Sequence, residues 1–509
     1  MVNSHRDAFF KNPSVVIQQL YEKHGLDSIE DKLIDEFNNL VNLPTDIDSI
    51  PELESADFGT LVRWTAMVQD TGYGTEMYIS TSSNDKCLVY GANQNEDVQF
   101  DNDQDDFSRI RERTNIYAVE IPGNNNESKP IKEDLLGGPS HKFPLQDRNN
   151  KLGVLLKLYD NDSGGSLRPA TVYEFVGILG KSALPRTLDS IEEDNVQETI
   201  VPSLHVLYSQ QVDNKPSSVV VEKDVGEHII TWLADEVLGG DKLAAHYLLL
   251  SLVSKTQSRK AGSPIGTLPI TLSLPENENT SELKIVKAIE ALTNLSVYLA
   301  LSIDKLNERR LYPHSNGDDL NSGSLQVSPS TCLIFDERHL GQGTLKDTGV
   351  RNVHSIQNVI QSQKLEYNFP FSAFPFETDL ITVILTDHSK SIIPGTIHIN
   401  VKPTSDNYYG ELSIPKHIKL WKEFILQSRQ KQVTIPDEVS SIIQQSFVDE
   451  RQAHKQNGGT GEGTSSDDLG RRITMARLLT SLDDGESNTM NNDHWNLITK
   501  LEKEREERC

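Results

Sequence analysis

Apolar residues recur with different periods along the chain, and the period predicts which kind of element each part forms. In residues 1–50 the apolar positions, such as Leu33 and Phe37, fall at the spacing of one helix face. From 58 to about 122, and again from 152 to 179, apolar and polar residues alternate, which indicates β-strands with one face toward a core. The pattern therefore predicts a helical segment followed by a β domain.

The predicted β domain covers residues 51–210 and is interrupted by the loop 122–150, which is rich in Gly, Asn, Pro and Lys. Short strands with glycines at bends and one long loop favour a small closed barrel of the OB type. Such barrels often bind single-stranded nucleic acid by stacking bases on aromatic residues along a basic face. The aromatic candidates for stacking are Trp64, Tyr73, Tyr78, Tyr159 and Tyr173. Acidic residues surround most of them, so we interpret the barrel as a protein-contact or structural module, with single-strand binding as the alternative.

A buried strand followed by two acids is the strongest candidate site. The apolar run Cys332–Phe335 suits a strand covered on both faces, and Asp336 and Glu337 follow it directly. Open α/β sheets bind their ligands at the carboxyl ends of the strands. In a P-loop ATPase the acids at this place, the Walker B site, hold Mg²⁺ and orient the attacking water. The alternative is that the two acids form a solvated turn.

The other parts of a nucleotide site are incomplete in the sequence. A predicted strand, Gly266–Leu274, is followed by a loop and a helix, which is the order of a P-loop unit. However, the loop 275–280 has no glycine and no Gly-Lys-Ser/Thr, and its Glu276 and Glu278 would repel a triphosphate. A later apolar strand, Ile381–Asp387, ends in a polar residue where a sensor would stand. The order is that of an AAA+ module without its phosphate cradle, so we predict no catalytic and no cofactor-binding residue.

Composition narrows the range of partners. The chain has 49 Lys and Arg against 75 Asp and Glu, a formal net charge of −26. Such a chain repels phosphate backbones, so a basic protein partner is favoured over nucleic acid. The densest acidic stretch, residues 92–106, lacks EF-hand spacing, and we interpret it as a solvated loop; a Ca²⁺ loop or a docking patch is the alternative. The three cysteines, Cys87, Cys332 and Cys509, suit neither a disulfide framework nor a metal site.

The patterns together predict a chain of several domains, α/β and β in class. No apolar run approaches a membrane span and the first residues lack an apolar signal core, so we expect a soluble, cytosolic or nuclear protein. The last turns, Lys500–Arg508, are charged nearly all round, which predicts a solvated helix. The predicted segments are N-terminal helices at 1–50, the OB-like β domain at 51–210, a degenerate AAA+-like α/β domain at 211–405, a helical lid at 406–451, a flexible linker at 452–470 and C-terminal helices at 471–509.

Long stretches, taken in order, resemble the MCM complex-binding protein family over nearly the whole chain. These stretches are Leu61–Asp70, Val172–Gly180, Gly240–Leu252, Ser324–Thr344 and Gly349–Tyr367. The segment Ile435–Gln452 is also similar to the lid helix of MCM subunits. The resemblance implies a degenerate relative of the MCM helicase subunits that has lost its P-loop. Animal relatives carry a long low-complexity insertion in place of the loop 122–150, so partner or import motifs within that insertion are not expected here.

The resemblance also implies a function. It indicates a nuclear, non-enzymatic replication factor that binds MCM helicase subunits on or off chromatin. Its expected roles are unloading of the helicase late in S phase, chaperoning of new subunits and support of sister-chromatid cohesion, and hence of mitosis and cell division. We expect no metal, cofactor, membrane or small-molecule substrate. The alternatives are a single-strand-binding OB protein, or a weakly active AAA+ ATPase that uses Asp336 and Glu337.

Overall fold

The computed structural model shows a mixed α/β protein. Among the described residues, the strands form sheets of six, five, four and two members. No helix among these residues combines the length and apolarity that crossing a membrane requires. The residues described are 2–94, 106–126, 130–145, 151–159, 166–185, 198–212, 224–275, 283–315, 319–387, 391–393, 395–405, 408, 411–456, 465–483 and 488–508.

The helices lie mainly at the two ends of the chain and between the strands of its second half. In chain order they are α1 (Val2–Lys11), α2 (Pro13–His24), α3 (Ile29–Leu40), α4 (Val225–Trp232), α5 (Lys242–Val253), α6 (Lys284–Leu292), α7 (Ile303–Glu308), α8 (Asp347–Ser362), α9 (Ile418–Gln430), α10 (Asp437–Gln456), α11 (Ser466–Ser481) and α12 (Asn492–Arg508). A π-helical turn, Leu233–Val237, continues α4. Asp241 caps α5, because its Oδ1 accepts the backbone N–H of Ala244 at 3.1 Å.

The first sheet contains the strands from residues 61 to 211 in the order β1-β5-β6-β4-β3-β2. Its strands are β1 (Leu61–Asp70), β2 (Thr75–Ile79), β3 (Ile110–Val119), β4 (Gly153–Leu158), β5 (Val172–Ala183) and β6 (Ile200–Gln211). An additional antiparallel pairing joins β1 to β3 around Met67 and Val119. Each of β1, β5, β6, β4 and β3 is therefore hydrogen-bonded to the next, and β3 is hydrogen-bonded to β1. Trp64 and Phe175 lie in its core, and the three N-terminal helices pack on a second cluster of the same sheet through residues that include Phe9, Ile17 and Phe37.

The second sheet has five parallel strands in the order β10-β13-β16-β9-β17. Its strands are β9 (Ile270–Ser273), β10 (Ser296–Ala300), β13 (Cys332–Asp336), β16 (Ile381–Thr386) and β17 (Ile397–Asn400). Alternate residues of β13 enter different cores: Cys332 and Ile334 join the larger one, Leu333 and Phe335 the other. The prediction of a strand covered on both faces is confirmed, because helices lie on each side.

The remaining strands are short and lie outside the two main sheets. Two of them, β7 (Ser258–Lys260) and β8 (Ser263–Ile265), form a hairpin. Four more form a sheet in the order β12-β11-β14-β15, with β15 at its edge. These are β11 (His314–Ser315), β12 (Leu320–Asn321), β14 (Lys364–Phe369) and β15 (Ser372–Glu377).

A buried polar junction joins the six-stranded sheet to the second half of the chain. Lys142 is fully buried there, and its Nζ lies 2.6 Å from Asp70 Oδ2 and 2.5 Å from Asp319 Oδ1. Gln326 donates to the backbone carbonyl of Gln69 at 2.8 Å and to the hydroxyl of Tyr367 at 3.1 Å. Because these bonds cross the boundary between the halves, they fix how the two main sheets are placed relative to each other.

Three predictions at the level of single elements need correction. At Leu88–Tyr90, where the strand pattern of residues 58–122 predicts a short strand, the structure has no strand, because Val89 and Tyr90 belong to a 3₁₀ turn, Val89–Gly91. The hairpin expected at 364–371 extends to Glu377. The solvated end helix was also wrong, because Leu501 and Glu502 are buried. Glu502 accepts hydrogen bonds from Tyr247 and from two arginines of α11 and α12, and these distant partners make its burial possible.

Candidate functional site

The two candidate acids lie where they were predicted, at the carboxyl end of a central strand. Asp336 is the last residue of β13 and Glu337 follows it, with neighbouring strands β10 and β16 on either side. The backbone N–H of Glu337 donates to Leu385 of β16 at 2.9 Å, and the Asp336 carbonyl accepts from Leu301. Both side chains are buried, which excludes the solvated turn.

Asp336 is neutralised by residues of this chain. Arg338 donates from Nε to Asp336 Oδ1 at 3.0 Å and from Nη2 to Asp336 Oδ2 at 2.9 Å, so the two side chains form a bidentate ion pair. The hydroxyl of Tyr298 donates to Oδ2 at 2.7 Å. Burial by itself would raise the pKa of Asp336, but these hydrogen bonds hold that pKa below its usual value. The carboxylate is therefore ionised, and its oxygens already have donors.

Glu337 is held by backbone amides. Its Oε1 accepts the N–H groups of Ile392 and Ile393, each at 3.0 Å. The carboxylate thus fixes the segment after β16 to the end of β13. A catalytic carboxylate must be free to contact a water, whereas this oxygen satisfies two donors that would otherwise be buried without partners.

The described part of this edge has no arrangement that suits a metal. No group of three or more His, Cys, Asp or Glu side chains among the described residues has the geometry to hold an ion. Asp387, at the end of the sensor-like strand, contributes to the high pKa of Arg338. The predicted obstacle to triphosphate binding, Glu276 and Glu278, lies outside the described residues.

The aromatic residues predicted as a stacking platform do not form one. Trp64, Tyr78, Tyr159 and Tyr173 are all buried, and Tyr73 is half-buried. Tyr159 is stacked on Tyr90, with ring centroids 4.0 Å apart. Bases could reach these rings only if the sheet opened, so the described surface gives no support to single-strand binding by stacking.

The hairpin β14–β15 exposes a cluster of phenylalanines that was not predicted. Its sequence from Phe369 to Phe376 contains the motif Phe-Pro-Phe twice: the first copy forms the tight turn and the second lies in β15. The exposed fractions are 37% for Phe369, 101% for Phe371, 54% for Phe374 and 38% for Phe376. Exposed aromatic groups of this density are a common mark of protein-contact surfaces, because burying them in a partner is strongly favourable.

The rings form one continuous face. Phe374 lies opposite Tyr367, and the ring of Phe369 packs edge-on against Phe374 at 5.7 Å. Phe376 likewise packs against Tyr367 at 4.5 Å. Tyr367 is buried and bonded to Gln326, so the base of the hairpin is anchored in the junction while its outer end projects. We name Phe369, Phe371, Phe374 and Phe376 the phenylalanine hairpin.

The backbone of the edge strand is less suited to binding than the rings. All six residues of β15 are exposed, and Pro375 in its middle has no N–H to give to a further strand. A partner therefore meets side chains rather than a free β-edge. The repeated Phe-Pro-Phe motif was visible in the sequence, but an aromatic strand is more often buried, and only the structure shows that this one faces outward.

Comparison with known proteins shows which family this chain is similar to. The family described as mini-chromosome maintenance replisome factor matches residues 126–509. The mini-chromosome maintenance complex-binding protein of Arabidopsis thaliana is 25% identical, in an alignment that covers 94% of this chain and 93% of the relative. The proteins of the same name from Danio rerio and Homo sapiens are 29% and 28% identical over 62% and 63% of this chain. Those alignments cover 53% of each vertebrate protein.

Proposed function

This chain belongs to the mini-chromosome maintenance replisome factor family, and from that membership we propose that it is a non-enzymatic protein that binds MCM helicase subunits. Its similar relatives carry the name of MCM complex-binding proteins. The observation that carries the proposal is the phenylalanine hairpin, an exposed apolar surface on a rigid base. An acidic chain with such a surface suits a partner that offers an apolar groove with basic surroundings.

The absence of enzymatic activity is part of the proposal. Asp336 is engaged by Arg338 and Tyr298, and Glu337 by two backbone amides, so neither is arranged to serve a nucleotide. The sequence also lacks a glycine-rich cradle at 275–280. The parallel sheet then acts as a scaffold of AAA+-like shape, and the six-stranded sheet as an OB-like module, both used for protein contact.

The proposed setting is DNA replication in the nucleus. A protein shaped like part of a helicase subunit, and unable to hydrolyse ATP, could occupy the place of such a subunit. That activity would serve removal of MCM from chromatin late in S phase or protection of unassembled subunits, and through them sister-chromatid cohesion. Neither role requires a catalytic residue, a cofactor or direct contact with nucleic acid.

The experiment is a binding titration with purified MCM subunits from the same organism. Replacement of Phe371 and Phe374 together by serine removes the two most exposed rings of the hairpin. Loss of a central aromatic anchor costs about 2 kcal/mol or more, so the Kd should rise by about 30-fold or more. The control variant is Phe107→Ser, because Phe107 is 72% exposed but lies outside the hairpin.

Two results would contradict the proposal in different ways. If the wild-type protein binds no MCM subunit, the function itself is wrong. If it binds, but the hairpin variant binds as tightly as Phe107→Ser, the surface is wrong and the function stands. The ATPase alternative predicts ATP binding that disappears in Glu337→Gln, and the single-strand alternative predicts a salt-sensitive affinity that weakens in Trp64→Ala.

A further inference from the structure

A cavity of about 420 Å³ on the six-stranded sheet has no role in the function proposed above. Apart from Gln94, its polar lining comprises Tyr78, Arg113, Lys157, Lys181, Ser182 and His205. These residues come from β2, β3, β4, β5 and β6, so the sheet itself builds the cavity. Ile79, Leu88 and Ala92 give part of the wall an apolar character.

The lining carries three cations and no carboxylate. Outside the lining, Glu76 compensates two of them with a single oxygen: its Oε1 lies 2.5 Å from Arg113 Nε and 2.9 Å from Lys157 Nζ. The third, Lys181, has its Nζ 4.3 Å from the ring centre of Phe58. Three positive groups against one negative group leave a local surplus of two charges, which is unusual in a chain of net charge −26.

Neutral groups also hold Arg113 in place. The hydroxyl of Tyr159 accepts from Arg113 Nη1 at 3.1 Å and lies 2.7 Å from His205 Nδ1. Gln94 Nε2 lies 3.0 Å from the other ring nitrogen of His205. Burial lowers the pKa of His205 far below its usual value, so this ring orients its neighbours without adding charge.

One hydroxyl in the lining has no partner. Tyr78 is nine-tenths buried, and its hydroxyl makes no hydrogen bond within the described structure. The guanidinium of Arg113 lies over the same ring, 4.5 Å from its centre. A buried donor without an acceptor is unfavourable, and an oxygen of a bound molecule would remove that penalty.

We propose that this cavity binds the phosphate group of a small phosphorylated molecule. A phosphate monoester carries a charge between about −1.5 and −2 and three acceptor oxygens, which match the charge surplus and the donors of Arg113, Lys157 and Tyr78. A carboxylate has one charge and two oxygens and would leave part of this set unused. The apolar wall at Ile79 and Leu88 accommodates the part of the ligand beyond the phosphate.

Calorimetric titration of the full chain tests the proposal, with inorganic phosphate and AMP as separate probes at constant ionic strength. Tyr78→Phe is the sharpest variant, since it removes only a hydroxyl that has no partner in the free protein. We expect its melting temperature not to fall, because the removed hydroxyl is a buried donor without a partner, and its affinity to fall by about tenfold. Lys157→Met should abolish measurable binding, and Tyr208→Phe, outside the cavity, should bind as the wild type does.

The two probes distinguish the source of the phosphate. Binding of both with AMP tighter indicates a phosphorylated organic molecule, and equal affinities indicate that the phosphate group alone is recognised. Either supports the proposal. The proposal would be overturned if neither probe gave more heat than sodium chloride at the same ionic strength. It would also be overturned if Tyr78→Phe and Lys157→Met both bound the probes with wild-type affinity. These measurements do not involve MCM subunits, so their failure leaves the proposed function untouched.

Discussion

Replacing Lys142 by methionine should loosen the junction between the two halves of the protein. The Lys142 side chain is 0% exposed and contacts Asp70, Asp319 and the Leu320 carbonyl, the last at 3.1 Å. Methionine keeps most of the volume, so the main change is loss of the charge. Asp70 would then remain in the junction without its cation, and Asp319 would lose its lysine but keep its contact with His141.

The expected magnitude follows from the burial. Removing one partner of a buried ion pair costs about 3–5 kcal/mol, because the other partner keeps its desolvation cost. At about 1.4 kcal/mol for each factor of ten, the local opening constant of the junction should rise by roughly 100- to 4,000-fold. The effect should be local, since each half has its own apolar cores.

Hydrogen exchange followed by mass spectrometry measures this opening on peptides around Gln69 and Gln326. The matched control is Lys132→Met. Lys132 pairs with Asp57 at a similar distance, 2.5 Å, but the two side chains are 39% and 84% exposed. Such a surface pair contributes at most about 1 kcal/mol, so exchange at the junction should not change. Equal exchange at the junction in the two variants would refute the role given to the buried lysine.

Three further predictions concern other buried carboxylates. Glu337→Ala should lower stability by about 1–3 kcal/mol in urea unfolding, since the amides of Ile392 and Ile393 lose their acceptor, whereas Glu337→Gln should cost less. The stability difference between wild type and Asp319→Asn should be constant above about pH 5 and shrink from about pH 4 toward 2. Burial tends to raise the pKa of Asp319, but His141 and Lys142 lower it to about 2, so the stabilisation is lost only as acid protonates the folded form. Glu502→Gln should expose α12 to limited proteolysis, because the arginines bonded to Glu502 lose their counter-charge; unchanged cleavage would contradict this.

The elements that depend on local pattern were predictable. The continuous apolar run before Asp336 could only be a buried strand or helix, and its shortness favoured the strand that the structure contains. The sequence from Ile435 to Val448 predicts a helix with Pro436 in its first turn; the helix in the structure is Asp437–Gln456, so it begins one residue after that proline. The mixed α/β class followed from the same patterns.

The buried charges were not predictable, because their partners are distant in sequence. Lys142 meets Asp70 across 72 residues and the Leu320 carbonyl across 178. Glu502 meets Tyr247 across 255 residues. A charged residue is normally exposed unless paired, and no local pattern shows such a pair. Arg338 is only two residues from Asp336, yet the apolar pattern that predicts the strand does not show which way this side chain turns, so their pairing was not predicted either.

The pairing of Asp336 with Arg338 would make this edge of the sheet hard to convert into a nucleotide site. A glycine-rich loop with a lysine, introduced at 275–280, would supply a phosphate cradle but no carboxylate ready for a metal. Arg338 and Tyr298 would also have to change, and Glu337 would have to release two backbone amides. Each of these changes alone breaks a buried contact and brings no activity. A nucleotide site at this edge of the sheet would therefore require several changes at once.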